Sequence, residues 1–110
     1  MLIQIINPEL NAFDITIKPV ADLWDVSGEG YINNVVVAEE HRGKGIAYVM
    51  MQELIKRGRE RGIMEFTLEV RVSNASAISL YQRLGFVSEG IRPRFYEKPT
   101  EDAMIMWIRQ

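Results

Sequence analysis

Arg42-Gly43-Lys44-Gly45 places two glycines and two cations in four consecutive residues. Glycine has no Cβ, so a ligand can approach the main chain closely at Gly43 and Gly45. Arg42 and Lys44 add positive charge at the same spot. The apolar, β-branched run Val35-Val36-Val37 leads into this turn, and a helical pattern follows it at once. A strand, a Gly-rich turn and a helix start make an anion site. The first N–H groups of a helix have no internal partner, and its dipole favours negative charge there. The expected ligand therefore carries phosphate. A dinucleotide fingerprint and a P-loop both fit poorly, because the third glycine and the Gly-Lys-Ser/Thr ending are missing.

Composition narrows the remaining chemistry. The 110 residues suit one domain, 1–110, around one core. With 47% hydrophobic and 25% charged residues, the chain reads as an ordinary globular protein. A formal net charge of −2 gives no support for a broad nucleic-acid surface. The absence of cysteine excludes disulfides, thiolate metal sites and a cysteine nucleophile. A single histidine excludes a multi-histidine metal site, so no metal is expected. No apolar run approaches the length of a membrane span. The first residues lack a basic leader, so the default expectation is a cytoplasmic protein without a signal peptide.

The elements that must position the turn follow from periodicity. Leu2 to Ile6 reads as a short strand stopped by Asn7-Pro8, and Phe13 to Lys18 alternates as a half-buried strand up to Pro19. Asp22 to Val26 reads as another strand, Ser27-Gly28-Glu29-Gly30 as a turn, and Tyr31 to Val37 as a strand whose apolar end is central in a sheet. Ala47, Met50, Met51, Leu54, Ile55 and Gly58 form one face of a helix closed by Gly62. Phe66 to Arg71 alternates strictly, and Ser73 or Asn74 can cap a helix with an apolar stripe at Ala77, Leu80, Tyr81 and Leu84. Gly85 ends that helix, Phe86-Val87 opens a strand, residues 89–102 read as a loop with some strand, and Ala103 to Ile108 is the last strand. The central strand–helix–strand unit predicts a parallel crossover, and the flanking strands can pair antiparallel. The predicted fold class is α/β (α+β): a mixed twisted sheet with helices packed on its faces.

Three blocks then resemble a known family. Arg42-Gly43-Lys44-Gly45-Ile46-Ala47 is similar to the Q/R-x-x-G-x-G/A acetyl-CoA motif of the GCN5-related N-acetyltransferases, the GNAT family. The block from Leu68-Glu69-Val70-Arg71 through Ser73-Asn74 to Tyr81 and Leu84-Gly85-Phe86 resembles its RimI and Ard1 type, the protein N-terminal acetyltransferases. Arg94-Phe95-Tyr96 followed by Glu101-Asp102-Ala103-Met104-Ile105-Met106 resembles the tail of the same type. The resemblance implies a GNAT fold and acetyl transfer from acetyl-CoA to an α-amino group, with a ribosomal protein as one acceptor. It assigns the CoA pyrophosphate to the amides of Gly43, Lys44, Gly45, Ile46 and Ala47, with Arg42 beside them. It assigns the pantetheine to the backbone of Val35 and Val37 and to Asn74, and polarisation of the thioester carbonyl to amides near Val36 and Val37. Glu69 corresponds to the proposed base and Tyr81 to the acid that meets the CoA sulfur. Arg94 and Tyr96 fall where the acceptor is bound. The amine attacks the thioester directly, which the missing cysteines accommodate.

Plainer readings accompany each residue. Standing alone, Glu69 is a solvent-facing strand carboxylate, Tyr81 is core, Asn74 is a helix cap, and Arg92, Arg94, Phe95, Tyr96 and Lys98 are a solvated loop. Met50 and Met51 read as core filler and His41 as an exposed turn residue. GNAT members usually begin with a strand and two helices that wall the peptide groove. Residues 1–32 show no amphipathic helix, so those helices are expected to be missing or replaced, which bears on peptide binding and not on acetyl-CoA binding. The uncovered sheet edge would favour a homodimer or strand exchange. Two alternatives remain open: a GNAT enzyme acting on a small-molecule amine, and a truncated, non-catalytic CoA-binding or interaction module.

Overall fold

The computed structural model describes residues 2–6, 20–36 and 45–109. Their order is β1 (Leu2–Ile6), β2 (Val20–Val26), β3 (Glu29–Val36), α1 (Ile46–Glu60), β4 (Glu65–Arg71), α2 (Ala75–Arg83), β5 (Val87–Tyr96) and β6 (Glu101–Ile108). The six strands form one sheet in the order β1-β2-β3-β4-β6-β5. Only β3 and β4 run parallel, and α1 makes the crossover between them. This is the mixed sheet the sequence predicts. The strand expected at Phe13 to Lys18 lies outside the described residues.

Local chemistry explains the elements. Ser27 and Gly28 both take positive φ, 55° and 86°, the geometry of a two-residue hairpin turn whose twist matches its strands. Asp25 Oδ1 accepts the Gly28 N–H at 3.0 Å and fixes that turn. The predicted four-residue turn is therefore shorter, and Gly30 already belongs to β3. A Cβ at Gly30 would sit 2.8 Å from Leu23 and 2.9 Å from Phe66, so the strand needs glycine there to lie close against its neighbours.

The helix α1 buries Ile46, Met50, Met51, Leu54, Ile55 and Gly58. This is the predicted face, with Ile46 in place of Ala47 at its start. Its last turn carries Arg57 and Arg59, which complement the negative end of the dipole. On β4, Phe66, Leu68 and Val70 are buried while Glu65, Thr67, Glu69 and Arg71 are half-buried on the other face. Side chains from α1, from Tyr81 of α2 and from Phe86, Met106 and Ile108 join Phe66, Leu68 and Val70 in one cluster. Ala77, Ile78 and Leu80 of α2, and Leu84 just after it, pack against it. Met50 and Met51 are core, as expected.

Residues 89–102 differ from their reading as a loop with some strand. β5 continues to Tyr96, and β6 begins at Glu101. β5 is an edge strand with β6 as its neighbour, and nine of its ten residues are exposed, so neither face imposes an alternation. Two extra residues between Arg92 and Tyr96 oppose the Glu101–Ala103 stretch, and Arg94 takes φ 52° inside this irregularity. Its N–H is accepted by Asp102 Oδ1 at 3.0 Å.

Candidate active site

The parallel pair opens the site. β3 and β4 are paired at Glu29–Glu65, Gly30–Phe66 and Tyr31–Thr67, and no further. β3 then stays with β2 as far as Val36–Val20, while β4 stays with β6 as far as Arg71–Ala103. The two strands thus diverge, and a gap opens between them. A bulge strengthens the divergence: from Asp22 to Val20 the register moves two residues on β2 but three on β3, from Asn33 to Val36. The bulge also reverses the alternation, so Val35 packs against the same core cluster as Ile32.

A cavity of about 330 Å³ occupies this gap. Tyr31, Asn33, Glu69, Tyr81 and Tyr96 are in its wall, with Asn74 at one end. Tyr31 donates its hydroxyl to Glu69 Oε2 at 2.5 Å, the short end of the range for an O–H on a carboxylate. The second oxygen of Glu69 faces Arg92 Nη1 at 3.4 Å. The Glu69 side chain is only 10% exposed, so these two contacts set its charge environment. Burial, and then the hydrogen bond to Glu69, raise the Tyr31 hydroxyl well above the usual tyrosine range. Burial pushes Tyr81 up to about 12. Tyr96 is also raised, by burial and then by the charge of Glu69. All three hydroxyls keep their protons at neutral pH and can donate.

Arg71 holds Tyr96 in place. Its guanidinium lies 4.4 Å from the Tyr96 ring centroid and donates to Glu101 Oε1, the Pro99 carbonyl and the Glu97 carbonyl at 3.1, 3.1 and 3.3 Å. Phe95 meets the Tyr96 ring edge-on, with centroids 5.0 Å apart. The turn before α2 is ordered by Asn74, whose Oδ1 accepts the Ala77 N–H at 3.2 Å. Of the two predicted caps, Asn74 is the one used.

The start of α1 offers a second polar feature. Gly45 is the N-cap residue with φ 72°, a left-handed conformation suited to glycine. No side chain caps the helix and no acidic residue lies in its first turn. Among the described residues, no side chain claims its first amides, as an anion site requires.

The predicted site residues fall into four groups. Glu69, Tyr81, Asn74, Tyr96 and Val35 line the cavity. Gly45, Ile46 and Ala47 form the helix start, and Val36 is the last residue of β3. Val37, Arg42, Gly43 and Lys44 lie outside the described residues, as does His41, which the sequence reads as an exposed turn residue and not as part of the site. Arg94 is not in the cavity wall; it sits in the irregular part of β5. Sequence reasoning missed Tyr31, Asn33 and Arg71 altogether and left Arg92 as an undifferentiated loop cation. Alternation from Thr67 to Glu69 to Arg71 could have placed Arg71. Nothing in the sequence fixes the parallel register that brings Tyr31 to Glu69, 38 positions away. Among the described residues, no group of acidic or histidine side chains could hold a metal ion, and no helix is long and apolar enough to cross a membrane.

Known proteins resemble this chain in sequence and in fold. The acetyltransferase (GNAT) family model matches residues 15–86. A ribosomal protein bS18-alanine N-acetyltransferase of Escherichia coli strain K12 is 38% identical over 104 residues, 91% of this chain and 64% of that protein. The crystal structure of the ribosomal-protein-S18-alanine N-acetyltransferase from Escherichia coli superposes with a TM-score of 0.75 and 35% identity, covering 81% of this chain and 59% of that one. A structure of the NatC complex bound to Gag peptide and CoA gives a TM-score of 0.79 at 25% identity, over 96% of this chain and 68% of that one. The chain thus spans about three fifths of the length of the Escherichia coli protein it matches. With the family model and a relative of 38% identity both spanning the β3–α1–β4–α2 unit that builds the cavity, the chain belongs to the GNAT acetyltransferase family.

Proposed function

We propose that residues 1–110 form one GNAT domain that transfers the acetyl group of acetyl-CoA to the α-amino group of a protein N-terminus, with a ribosomal protein as the first candidate acceptor. One observation carries this reading: the parallel strands β3 and β4 part beyond Tyr31–Thr67, and the gap has Glu69 in one wall and Tyr81 in another. The names of the relatives support a protein N-terminus over a small amine. The start of α1 at Gly45, Ile46 and Ala47 suits the pyrophosphate of acetyl-CoA, and Arg42, Gly43 and Lys44 precede it in the sequence. The parted backbone of β3 near Val35 and Val36, with Val37 next in the sequence, suits the amide-bearing pantetheine together with Asn74.

Within this reading the amine enters on the Glu69 face of the sheet. Glu69 accepts its proton, directly or through water, and Tyr31 and Arg92 hold the carboxylate oriented. The neutral amine attacks the thioester carbon; the C–N bond forms as the C–S bond breaks. Tyr81, neutral at working pH, gives its proton to the departing thiolate and regains one from the newly acetylated nitrogen, which keeps a single N–H as an amide. Arg94 and Tyr96 contact the acceptor, and Arg71 keeps Tyr96 in position. The exposed edge of β5, with Val87, Ile91 and Phe95, supports pairing of two copies. We place the protein in the cytoplasm, where acetyl-CoA and new protein N-termini meet.

The test is Glu69→Gln in the 110-residue chain, followed by CoA release with an alanine-initiated peptide. Turnover is expected to fall by about a hundredfold or more, the usual worth of a positioned base, with acetyl-CoA affinity unchanged. Unchanged turnover would remove Glu69 as the base.

A further inference from the structure

One buried polar atom beside Glu69 has no hydrogen bond among the described residues. Asn33 stands two residues after Tyr31 on β3, before the bulge, so the two side chains share a face. It lines the cavity with Glu69 and Tyr96. Its Oδ1 is buried, and among the described residues it is the one buried side-chain polar atom with no hydrogen bond. Burying an acceptor without a donor is destabilising, and native proteins retain few such atoms. Thr67 shows the usual solution on the same face, since its hydroxyl donates to the Met106 carbonyl at 3.0 Å. An amide oxygen only accepts, so whatever pairs with it brings an N–H or O–H.

We propose that Asn33 Oδ1 accepts an N–H of the attacking amine and so favours an amine over a hydroxyl as the acceptor. The proposal rests on the acetyltransferase reading of the same cavity and adds the group that reads the nucleophile. A primary ammonium carries three N–H bonds. One proton goes to Glu69 and frees the lone pair that forms the new C–N bond, one N–H is held by Asn33 and stays on the product amide, and the third proton leaves the acetylated nitrogen to restore the Tyr81 hydroxyl. A hydroxyl nucleophile has a single hydrogen. Once Glu69 takes it, Asn33 stays unpaired, so the site disfavours alcohols for the same reason that any buried polar group rejects a ligand lacking its partner. The pantetheine amides are the other N–H source. Asn33 shares the Glu69 face and not the face packed by α1 and α2, which favours the acceptor.

Calorimetric titration of the 110-residue chain separates the sources without requiring turnover. CoA is titrated first, then an alanine-initiated peptide in the presence of CoA, for wild type, Asn33→Leu and Asn33→Asp. Asn33→Leu is expected to weaken the peptide about tenfold, leave CoA affinity unchanged and raise the melting temperature, because an unsatisfied acceptor is gone. Asn33→Asp keeps an oxygen in place and is expected to hold peptide affinity within about threefold of wild type. Equal peptide affinity in Asn33→Leu, a lowered melting temperature, or a loss confined to CoA would each overturn the proposal, as would wild type failing to bind the peptide. Should wild type bind both ligands and transfer no acetyl group, the acetyltransferase reading falls while the titrations still decide the role of Asn33.

Discussion

Replacing Tyr81 by phenylalanine deletes one oxygen and keeps the ring. The ring is buried and meets Phe86 edge-on, with centroids 5.8 Å apart and planes at 65°, so its packing survives the change. In the wild type, burial pushes the hydroxyl up to about 12 from the 10.0 of an unperturbed tyrosine. Below pH 10 the folded and unfolded chains both keep this proton, and stability does not depend on it. Between about pH 10 and pH 12 the unfolded chain releases the proton while the folded chain holds it. The folded state then binds more protons, so stability falls as pH rises. Two pKa units correspond to about 2 to 3 kcal/mol. Tyr31 and Tyr96 are raised as well, so the whole alkaline decline exceeds this figure, and the difference between wild type and Tyr81→Phe isolates one residue. Urea midpoints followed from about pH 9 to pH 12 read that difference. The variant is expected to lose about 2 to 3 kcal/mol less than wild type across the window. At neutral pH it is expected to lose about a hundredfold in turnover, because the thiolate then leaves without its acid. Parallel alkaline curves would refute the burial of the hydroxyl, and unchanged neutral turnover would refute its role as the acid.

Two further substitutions probe the frame around the cavity. Gly58→Ala gains up to about 1 kcal/mol of helix propensity. Its Cβ would, however, stand 2.7 Å from Phe66 Cε1 and 2.9 Å from Leu23 Cδ2. Overpacking of this kind costs about 1 to 3 kcal/mol, so the urea midpoint should fall; a rise would show that α1 can lift off the sheet freely. Asn74→Ala removes the cap on Ala77 and should lower stability by about 1 kcal/mol. A fall in acetyl-CoA affinity beyond that of a similarly destabilised core variant would add a ligand contact to the cap, whereas an equal fall would leave Asn74 as a cap alone.

Legibility in the sequence followed how each element meets the core. β4 alternates Phe66, Leu68 and Val70 with Thr67, Glu69 and Arg71 because one face is packed and the other is not, and period two follows directly. α1 reads clearly because Met50, Met51, Leu54, Ile55 and Gly58 all touch one sheet face. β5 was opaque because an exposed edge strand has no buried face to impose a pattern, and Pro93 and the positive φ of Arg94 break its register. Glu69 and Tyr81 were found through resemblance; periodicity alone placed them on a strand face and a buried stripe. Tyr31 and Asn33 escaped notice because their meaning depends on where β3 and β4 stop pairing, a tertiary register set by the bulge and by the close packing at Gly30.

The most direct measurement is the mass of an alanine-initiated peptide after incubation with the 110-residue chain and acetyl-CoA. One acetyl group on the terminal nitrogen, in step with the CoA released and absent when that nitrogen is blocked beforehand, is the expected result. Acetyl-CoA binding with an unmodified peptide, or acetyl retained on the chain itself, would contradict direct transfer in the gap between β3 and β4.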